Sequence, residues 1–210
     1  MAWMEDERAA LVEALRAADP DAPTLCEGWT VRDLVAHLVE REHMPLRSGL
    51  DMLERRAPGT ERFQGRLADG ARTPEGYRAL VDRFAAGIPA WSPVGWAGDA
   101  AHLLEYVVHH EDVRRAGADP AEPRVLPTDL VRAVWARLGP LARMAYRTSP
   151  VGVVLAVPGG PRHVVHRGED AVVILGDPVE LALHALGRDE AAEVEVLGRD
   201  EVVDRYLAAR

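Results

Sequence analysis

The sequence has little of what several common classes of protein require. Only one of its 210 residues is cysteine, Cys26, which excludes an intrachain disulfide and a cysteine-rich zinc site. Lysine is absent, because all 25 basic residues are arginine, and this excludes Schiff-base chemistry on a lysine. No apolar run approaches the roughly 20 residues of a membrane span, and the acidic start, residues 1–7, has no apolar signal core. We therefore expect a cytoplasmic protein with no membrane association.

The charge balance is acidic. The formal net charge is −9 at pH 7, with 34 acidic and 25 basic residues. Such a chain lacks the positive field that nucleic acids require, so we expect no nucleic-acid partner, although local arginine pockets for small anions stay open. Hydrophobic residues make up 48% of the chain, and its length suffices for one large or two small domains with real cores. The sequence does not fix the oligomeric state.

Helical periodicity dominates the first half of the chain. The spacing predicts helices over residues 4–17, from 31 to about 55, from 74 to about 87, from about 100 to 117, and over 128–146. Thr30 and Asp33 form a capping-box pattern at the start of the second helix. Asp99 is expected to cap the fourth helix, and the glycine-rich, polar segment 56–72 is expected to be a long loop.

A different pattern begins after Pro150. We predict strands over residues 151–157, 162–167, 171–175 and 192–197, with helices over 178–186 and 200–209. The predicted fold class is therefore α+β. It comprises a helical domain over residues 1–120, whose last helix could extend to about 148, and a smaller α+β domain over residues 121–210.

The fourth predicted helix carries an unusual pair of polar residues. Glu105 and His109 lie one turn apart on one helix face, within a run of alanine, leucine, valine and tyrosine. A buried carboxylate needs a partner, and a divalent metal is one such partner for a glutamate and a histidine at this spacing. His37, beside the apolar stripe of the second helix, is the best third ligand, because facing helices of a bundle can bring it opposite the pair. Two histidines and one carboxylate with an open position suit zinc, nickel or iron.

Each of these residues also has a simpler interpretation. His37 could be a hydrogen-bonded core histidine, Glu105 could pair with an arginine from another helix, and His109 and His110 could be surface residues. The spacing alone does not decide between these interpretations and a metal site.

Two segments resemble a known family. Residues 24–38, Thr-Leu-Cys-Glu-Gly-Trp-Thr-Val-Arg-Asp-Leu-Val-Ala-His-Leu, and residues 105–115, Glu-Tyr-Val-Val-His-His-Glu-Asp-Val-Arg-Arg, are similar to two motifs of the mycothiol-dependent maleylpyruvate isomerase family. That family belongs to the DinB/YfiT-like metal-binding superfamily. The resemblance covers roughly the first 120 residues and implies a DinB-like four-helix bundle. The family's three metal ligands fall on His37, Glu105 and His109.

The resemblance also implies an activity. It suggests that mycothiol, a low-molecular-weight thiol, is a cosubstrate that the metal activates for isomerisation of, or S-transfer to, a small electrophilic substrate. The segment from Glu180 to Arg188 looks like the family's C-terminal, sterol-carrier-like domain, in which the arginine matching Arg188 is implicated in activity. The simpler alternative is an arginine that caps a helix or faces solvent.

Two other functions are alternatives to the enzyme. The His-His-Glu-Asp-Val-Arg-Arg form resembles a subgroup described only as metal-binding. A non-catalytic metal- or small-ligand-binding protein and a metal-free helical protein that acts in a complex therefore stay open.

Four further residues accompany the predicted site. Asp112, three residues after His109, could hold its imidazole from behind or pair with Arg115 at the surface. Arg114 and Arg115 could bind a substrate carboxylate or complement the helix dipole. We expect Cys26 to be a buried structural residue, since no base is visible near it in the sequence.

Overall fold

The computed structural model describes residues 2–43, 62–87, 102–117 and 120–210. The chain separates into two compact units, Met1–Pro123 and Arg124–Arg210. The described part of the first unit is helical, and the second combines helices with a four-stranded sheet. The predicted α+β fold class is confirmed.

Five helices are described in the first unit. They are α1 (Ala2–Ala17), α2 (Val31–His43), α3 (Arg62–Gly70), α4 (Pro74–Ala85) and α5 (Leu103–Arg114). Helix α1 packs against α4 and α5, and α2 packs against α3 and α4. The four longer helices form the predicted bundle around one hydrophobic core, to which Leu11, Leu34, Phe84 and Tyr106 each contribute a fully buried side chain.

Local signals fix the start of α2. The backbone N–H of Thr30 donates to Asp33 Oδ2 at 2.9 Å, and the backbone N–H of Asp33 donates to Thr30 Oγ1 at 3.3 Å. This is the predicted capping box, which pairs two donors that a helix start leaves free. Helix α4 begins in a related way, because the Thr73 side chain accepts from the backbone N–H of Gly76.

One predicted loop is wrong in part. Residues 62–70, within the expected loop 56–72, form α3. Gln64, Ala68 and Ala71 are buried at helical spacing, and Gln64 Nε2 donates to the Asp33 carbonyl of α2 at 3.3 Å. Leu67, Ala68 and Ala71 pack against the core at helical spacing, but polar residues and glycine outnumber them, which is why composition indicated a loop. The predicted extension of α2 to residue 55 and the cap at Asp99 lie outside the described residues.

The second unit is built on a mixed sheet. Its elements are α6 (Thr128–Ala145), β1 (Gly152–Ala156), β2 (Arg162–His166), β3 (Ala171–Leu175), α7 (Pro178–Ala185), β4 (Glu195–Leu197) and α8 (Asp200–Leu207). The strand order is β2-β1-β3-β4, with β1 antiparallel to β2 and parallel to β3, and β4 antiparallel to β3. Helix α6 packs against α7 and β2, and α8 packs against β3. Val153, Leu155, Val172 and Ile174 alternate toward a fully buried core.

The last strand is shorter than the predicted 192–197. The backbone N–H of Ala192 donates to the Arg188 carbonyl, and that of Glu193 donates to Glu180 Oε2 at 2.9 Å. These donors are therefore used outside the sheet, and pairing with β3 begins only at Glu195. Among the described helices, none is both long and apolar enough to cross a membrane.

Candidate metal centre

The structure brings His37, Glu105 and His109 together. Glu105 Oε2 lies 3.5 Å from His37 Nε2 and 3.5 Å from His109 Nε2. One ligand atom from each residue lies within 4.8 Å of the other two. His37 comes from α2, and the other two residues come from consecutive turns of α5. The proximity predicted from spacing is thus present in the fold.

The donor set fits a divalent metal ion. Glu105 Oε2 is buried and makes no hydrogen bond to any described residue, which is costly for a carboxylate oxygen. Two ligands, each about 2.1 Å from a tetrahedral zinc ion, are about 3.4 Å apart, which is close to the two observed nitrogen–oxygen distances. The side chains of His37 and Glu105 are each 23% exposed, so one side of the cluster is open.

Arg41 forms a hydrogen bond with the other carboxylate oxygen of Glu105. Its Nη2 donates to Oε1 at 2.8 Å, so the arginine pairing considered from the sequence is also present. Burial alone would raise the pKa of Glu105, but the nearby imidazoles of His109 and His37, 3.5 Å from Oε2, and the charge of Arg41 outweigh it and hold the pKa well below its usual value. Arg41 thus keeps Glu105 ionised and leaves Oε2 to the histidines.

His109 is held from behind by Asp112. Its Nδ1 lies 2.8 Å from Asp112 Oδ2, and the thiol of Cys26 lies 3.2 Å from the same oxygen. A carboxylate at Nδ1 favours the tautomer with hydrogen on Nδ1, which leaves Nε2 as the metal-facing nitrogen. Burial would lower the pKa of His109, but the contacts with Asp112, Cys26 and Glu105 outweigh it and raise the pKa well above its usual value, so an ion that binds at Nε2 must displace a proton. Of the two arrangements considered for Asp112 from the sequence, the structure has the contact with His109.

His37 has a different environment. Its ring packs against Trp29, with ring centroids 4.9 Å apart, and lies edge-on to His109, with centroids 5.3 Å apart. Burial lowers the pKa of His37 more than the nearby Glu105 carboxylate raises it. A neutral imidazole is the form that binds a metal ion.

The loop before α2 is hydrogen-bonded to α5 beside His109. The backbone N–H of Leu25 donates to the Asp112 carbonyl at 3.1 Å, which ties the loop to α5. Cys26, in this loop, is half-buried and next to a carboxylate that is distant in sequence. Sequence spacing could not reveal that contact, although the i, i+4 spacing of His37 and Arg41 on α2 could have indicated Arg41.

The remaining candidates lie elsewhere. His110 is buried, not exposed as one alternative suggested, and its Nδ1 lies 3.1 Å from Glu7 Oε1. Arg114 and Arg115 both donate to the buried Glu111 carboxylate, at 2.9 Å and 2.6 Å.

Arg188 lies in the second unit. Its Nη1 donates to the Leu186 carbonyl at 2.6 Å, just after α7. This contact corresponds to the helix-capping alternative considered for Arg188 from the sequence.

Comparisons with known proteins address the fold and the family. A search of curated proteins found no match. Two solved structures, one of the mycothiol-dependent maleylpyruvate isomerase and one of a histidine-to-alanine mutant of it, are similar in fold, each with 18% identity and a TM-score of 0.62. Each match covers 93% of this chain and 90% of the other. The family model described as the mycothiol maleylpyruvate isomerase N-terminal domain matches residues 3–114, a segment that contains all three candidate ligands. The chain therefore belongs to the mycothiol maleylpyruvate isomerase N-terminal domain family.

Proposed function

We propose that this protein holds one divalent metal ion through His37, Glu105 and His109 and uses it in a thiol-dependent isomerase or S-transferase reaction. The observation that carries the proposal is the convergence of two imidazole nitrogens, at 3.5 Å each, on a buried carboxylate oxygen without a hydrogen bond. Zinc is the first candidate, with nickel or iron as alternatives, because two nitrogens and one oxygen with an open position suit all three.

Membership of the family supports the thiol dependence. The similar solved structures are of an enzyme named as mycothiol-dependent, so we propose mycothiol as the cosubstrate here. A bound divalent ion stabilises a thiolate at neutral pH. Addition of a thiol to an electron-poor double bond leaves a single bond that can rotate, and loss of the same thiol restores the double bond in the other geometry.

The chain's own residues prepare this centre. Asp112 fixes the His109 tautomer, and Arg41 holds Glu105 ionised through Oε1 so that Oε2 is free to coordinate. Packing against Trp29 orients the His37 ring. These contacts orient the three ligands before any ion enters, and binding then requires loss of the His109 proton.

Arg188 is the proposed residue for the substrate's carboxylate. This role rests on the resemblance of its Gly-Arg motif, and the hydrogen bond to Leu186 gives it a competing structural role. Substitution of Arg188 by lysine separates the two roles. A capping contact tolerates lysine, whereas bidentate binding of a carboxylate requires the planar guanidinium.

The test uses the full chain freed of metal with a chelator. Zinc, nickel or iron is added, unbound ion is removed, and the bound ion is measured by elemental analysis for the wild type, His37→Ala and Glu105→Gln. His166→Ala, in the second unit, is the control. We expect one ion per chain in the wild type and in the control, and a large loss in the other two variants.

Thiol binding is then followed by the visible absorption of the cobalt-loaded protein during titration with mycothiol. A saturable spectral change supports the proposed enzyme. If the protein binds cobalt but mycothiol causes no spectral change, the protein binds metal without the proposed thiol chemistry. If His37→Ala and Glu105→Gln both keep the metal, the proposed site is wrong.

A further inference from the structure

The sheet of the second unit has one face toward the core and one face toward solvent. Val153, Leu155 and Ile174 point to the inner face and are fully buried. Helix α6 lies on that side, because its Trp135 stacks on His163, with ring centroids 4.1 Å apart, and His163 pairs with Leu155 across the strands. Since successive residues of a strand point to opposite faces, the residues between these form the outer face.

An aliphatic row crosses the outer face from edge to edge. The strand register places one residue from each strand side by side, namely Val164 of β2, Val154 of β1, Val173 of β3 and Leu197 of β4. Val164 is 51% exposed and Leu197 is 40% exposed, and the two central residues are half-buried. A sheet face toward solvent usually carries polar residues at such positions. A contiguous exposed apolar surface is instead typical of an interaction site.

The neighbouring row ends in two charges of opposite sign. It runs from Arg162 on β2 through Ala156 and Leu175 to Glu195 on β4. Arg162 and Glu195 are both exposed, and neither forms an ion pair with another residue in the described part of the chain. They lie on the two edge strands, three strand spacings or about 14 Å apart, so they cannot pair with each other.

A second copy of the same chain would complement both rows. When two such sheets pack face to face about a two-fold axis parallel to the strands, the β2 side of one copy lies over the β4 side of the other. The aliphatic row then packs on the same row of the other copy, and Arg162 faces Glu195 of the partner subunit. Packed sheets are about 10 Å apart, a distance that an arginine and a glutamate side chain span together.

We propose that the protein forms a two-fold symmetric dimer through the outer face of this sheet. The charges select this arrangement, because an axis perpendicular to the strands would place β2 over β2 and keep Arg162 away from Glu195. The strand spacings give a face of roughly 300 Å² per copy, against about 800 Å² per partner in a standard interface. The dimer should therefore be weak and reversible, and it is independent of the metal centre.

The first experiment is sedimentation equilibrium of the full chain at concentrations up to about 1 mM, which detects weak association. We expect the molar mass to rise with concentration from that of one chain, 23.0 kDa, toward twice that value. Val164→Glu should abolish the rise. Met144→Glu is the matched control, since Met144 is 50% exposed on α6, and should leave the rise unchanged. A mass of one chain at every concentration, or an equal effect of the two variants, overturns the proposal.

Charge reversal tests the pairing at the two ends of the interface. Arg162→Glu and Glu195→Arg should each raise the dissociation constant about 4-fold or more, because each brings like charges together twice in the symmetric dimer. The double variant Arg162→Glu/Glu195→Arg has opposite charges facing each other again. It should therefore dimerise nearly as tightly as the wild type, and a double variant no tighter than the single ones contradicts the pairing.

Chemical cross-linking tests the direction of the two-fold axis. In a Cys26→Ser background, one chain carries Arg162→Cys and another carries Glu195→Cys, so that each has a single thiol. A bismaleimide that spans about 10 Å, the separation of packed sheets, should link the two chains when they are mixed. Neither should be linked when it is alone, because like positions lie at opposite edges of the interface. Linkage of either variant alone, or none in the mixture, overturns this arrangement.

Discussion

Substitution of Asp112 by asparagine tests whether the residue behind the proposed ligand His109 matters for metal binding. Asp112 Oδ2 lies 2.8 Å from His109 Nδ1 and is fully buried. Asparagine keeps the size of the side chain but removes its negative charge. It can also turn its amide nitrogen toward Nδ1, which would favour the wrong tautomer of His109.

The expected loss follows from the position of this contact. Removing a carboxylate that supports a metal-binding histidine typically weakens metal affinity by about 10- to 100-fold. An ion present at 100 times its dissociation constant stabilises the wild type by about 2.7 kcal/mol. At the same ion concentration, the variant would be stabilised by only about 0.4 to 1.4 kcal/mol.

The assay is urea unfolding of each protein with and without zinc. The difference between the two conditions isolates the contribution of the ion and cancels any general effect of the substitution on folding. Glu111→Gln is the matched control, because Glu111 is the neighbouring residue on α5 and is equally buried, yet it bonds Arg114 and Arg115. We expect the control to lose stability without zinc and to keep the full increment with it.

One result would refute this reasoning. If zinc stabilises Asp112→Asn as much as the wild type, the contact with His109 does not organise a metal ligand. An equal loss of the zinc increment in Glu111→Gln would instead show that any damage to α5 disturbs the site.

Three further predictions concern other contacts. Arg41→Met should weaken zinc binding because Glu105 loses its partner at Oε1, whereas Arg41→Lys, which keeps a positive charge there, should lose less affinity. Competition with a chromophoric chelator measures the affinities, and equal values for the wild type and Arg41→Met would contradict this prediction. The pKa of His184 is lowered by burial to about 4 in the folded protein, against about 6.5 in the unfolded chain. Its neutral form should therefore contribute fully to the free energy of unfolding above pH 6.5, and that free energy should decrease by at most about 3 kcal/mol as the pH falls toward 4. Urea unfolding of the wild type and of His184→Gln across this range measures that slope, which should be shallower in the variant. Gly76→Ala should destabilise the protein by more than about 1 kcal/mol in thermal unfolding, since the new Cβ would lie 2.2 Å from the Gly70 carbonyl oxygen; a neutral change would show that the turn before α4 can shift.

Elements with strong local signals were predictable. The capping box at Thr30 is one example, and two more are Pro74, which is typical of a first helical position, and Gly159-Gly160, which is typical of a turn between the predicted strands 151–157 and 162–167. Each depends on neighbouring residues, and each is present in the structure. The segment around α3 shows the opposite case. Its helix packs against α2, and its apolar residues at helical spacing, Leu67, Ala68 and Ala71, were outweighed by the polar, glycine-rich composition of the segment.

The candidate site divides in the same way. Glu105 and His109 are one turn apart on a single helix, so their proximity follows from helical geometry alone. His37 required the assumption of a facing helix, and the fold places it 3.5 Å from Glu105. The thiol of Cys26 beside Asp112 could not be anticipated, because that contact joins a loop to a helix 86 residues away. Long-range contacts of this kind depend on the tertiary fold rather than on any periodicity.

Helix α5 is unusual in being buried on nearly all of its sides, with nine of its twelve residues in the interior. Most changes to that helix would damage packing as well as chemistry, so it offers little freedom for altering what the centre accepts. Helix α2 differs, since Arg41 is 38% exposed beside the same carboxylate. A substitution at position 41 should therefore act on Glu105 and the metal alone, whereas a substitution in α5 should also cost packing and stability.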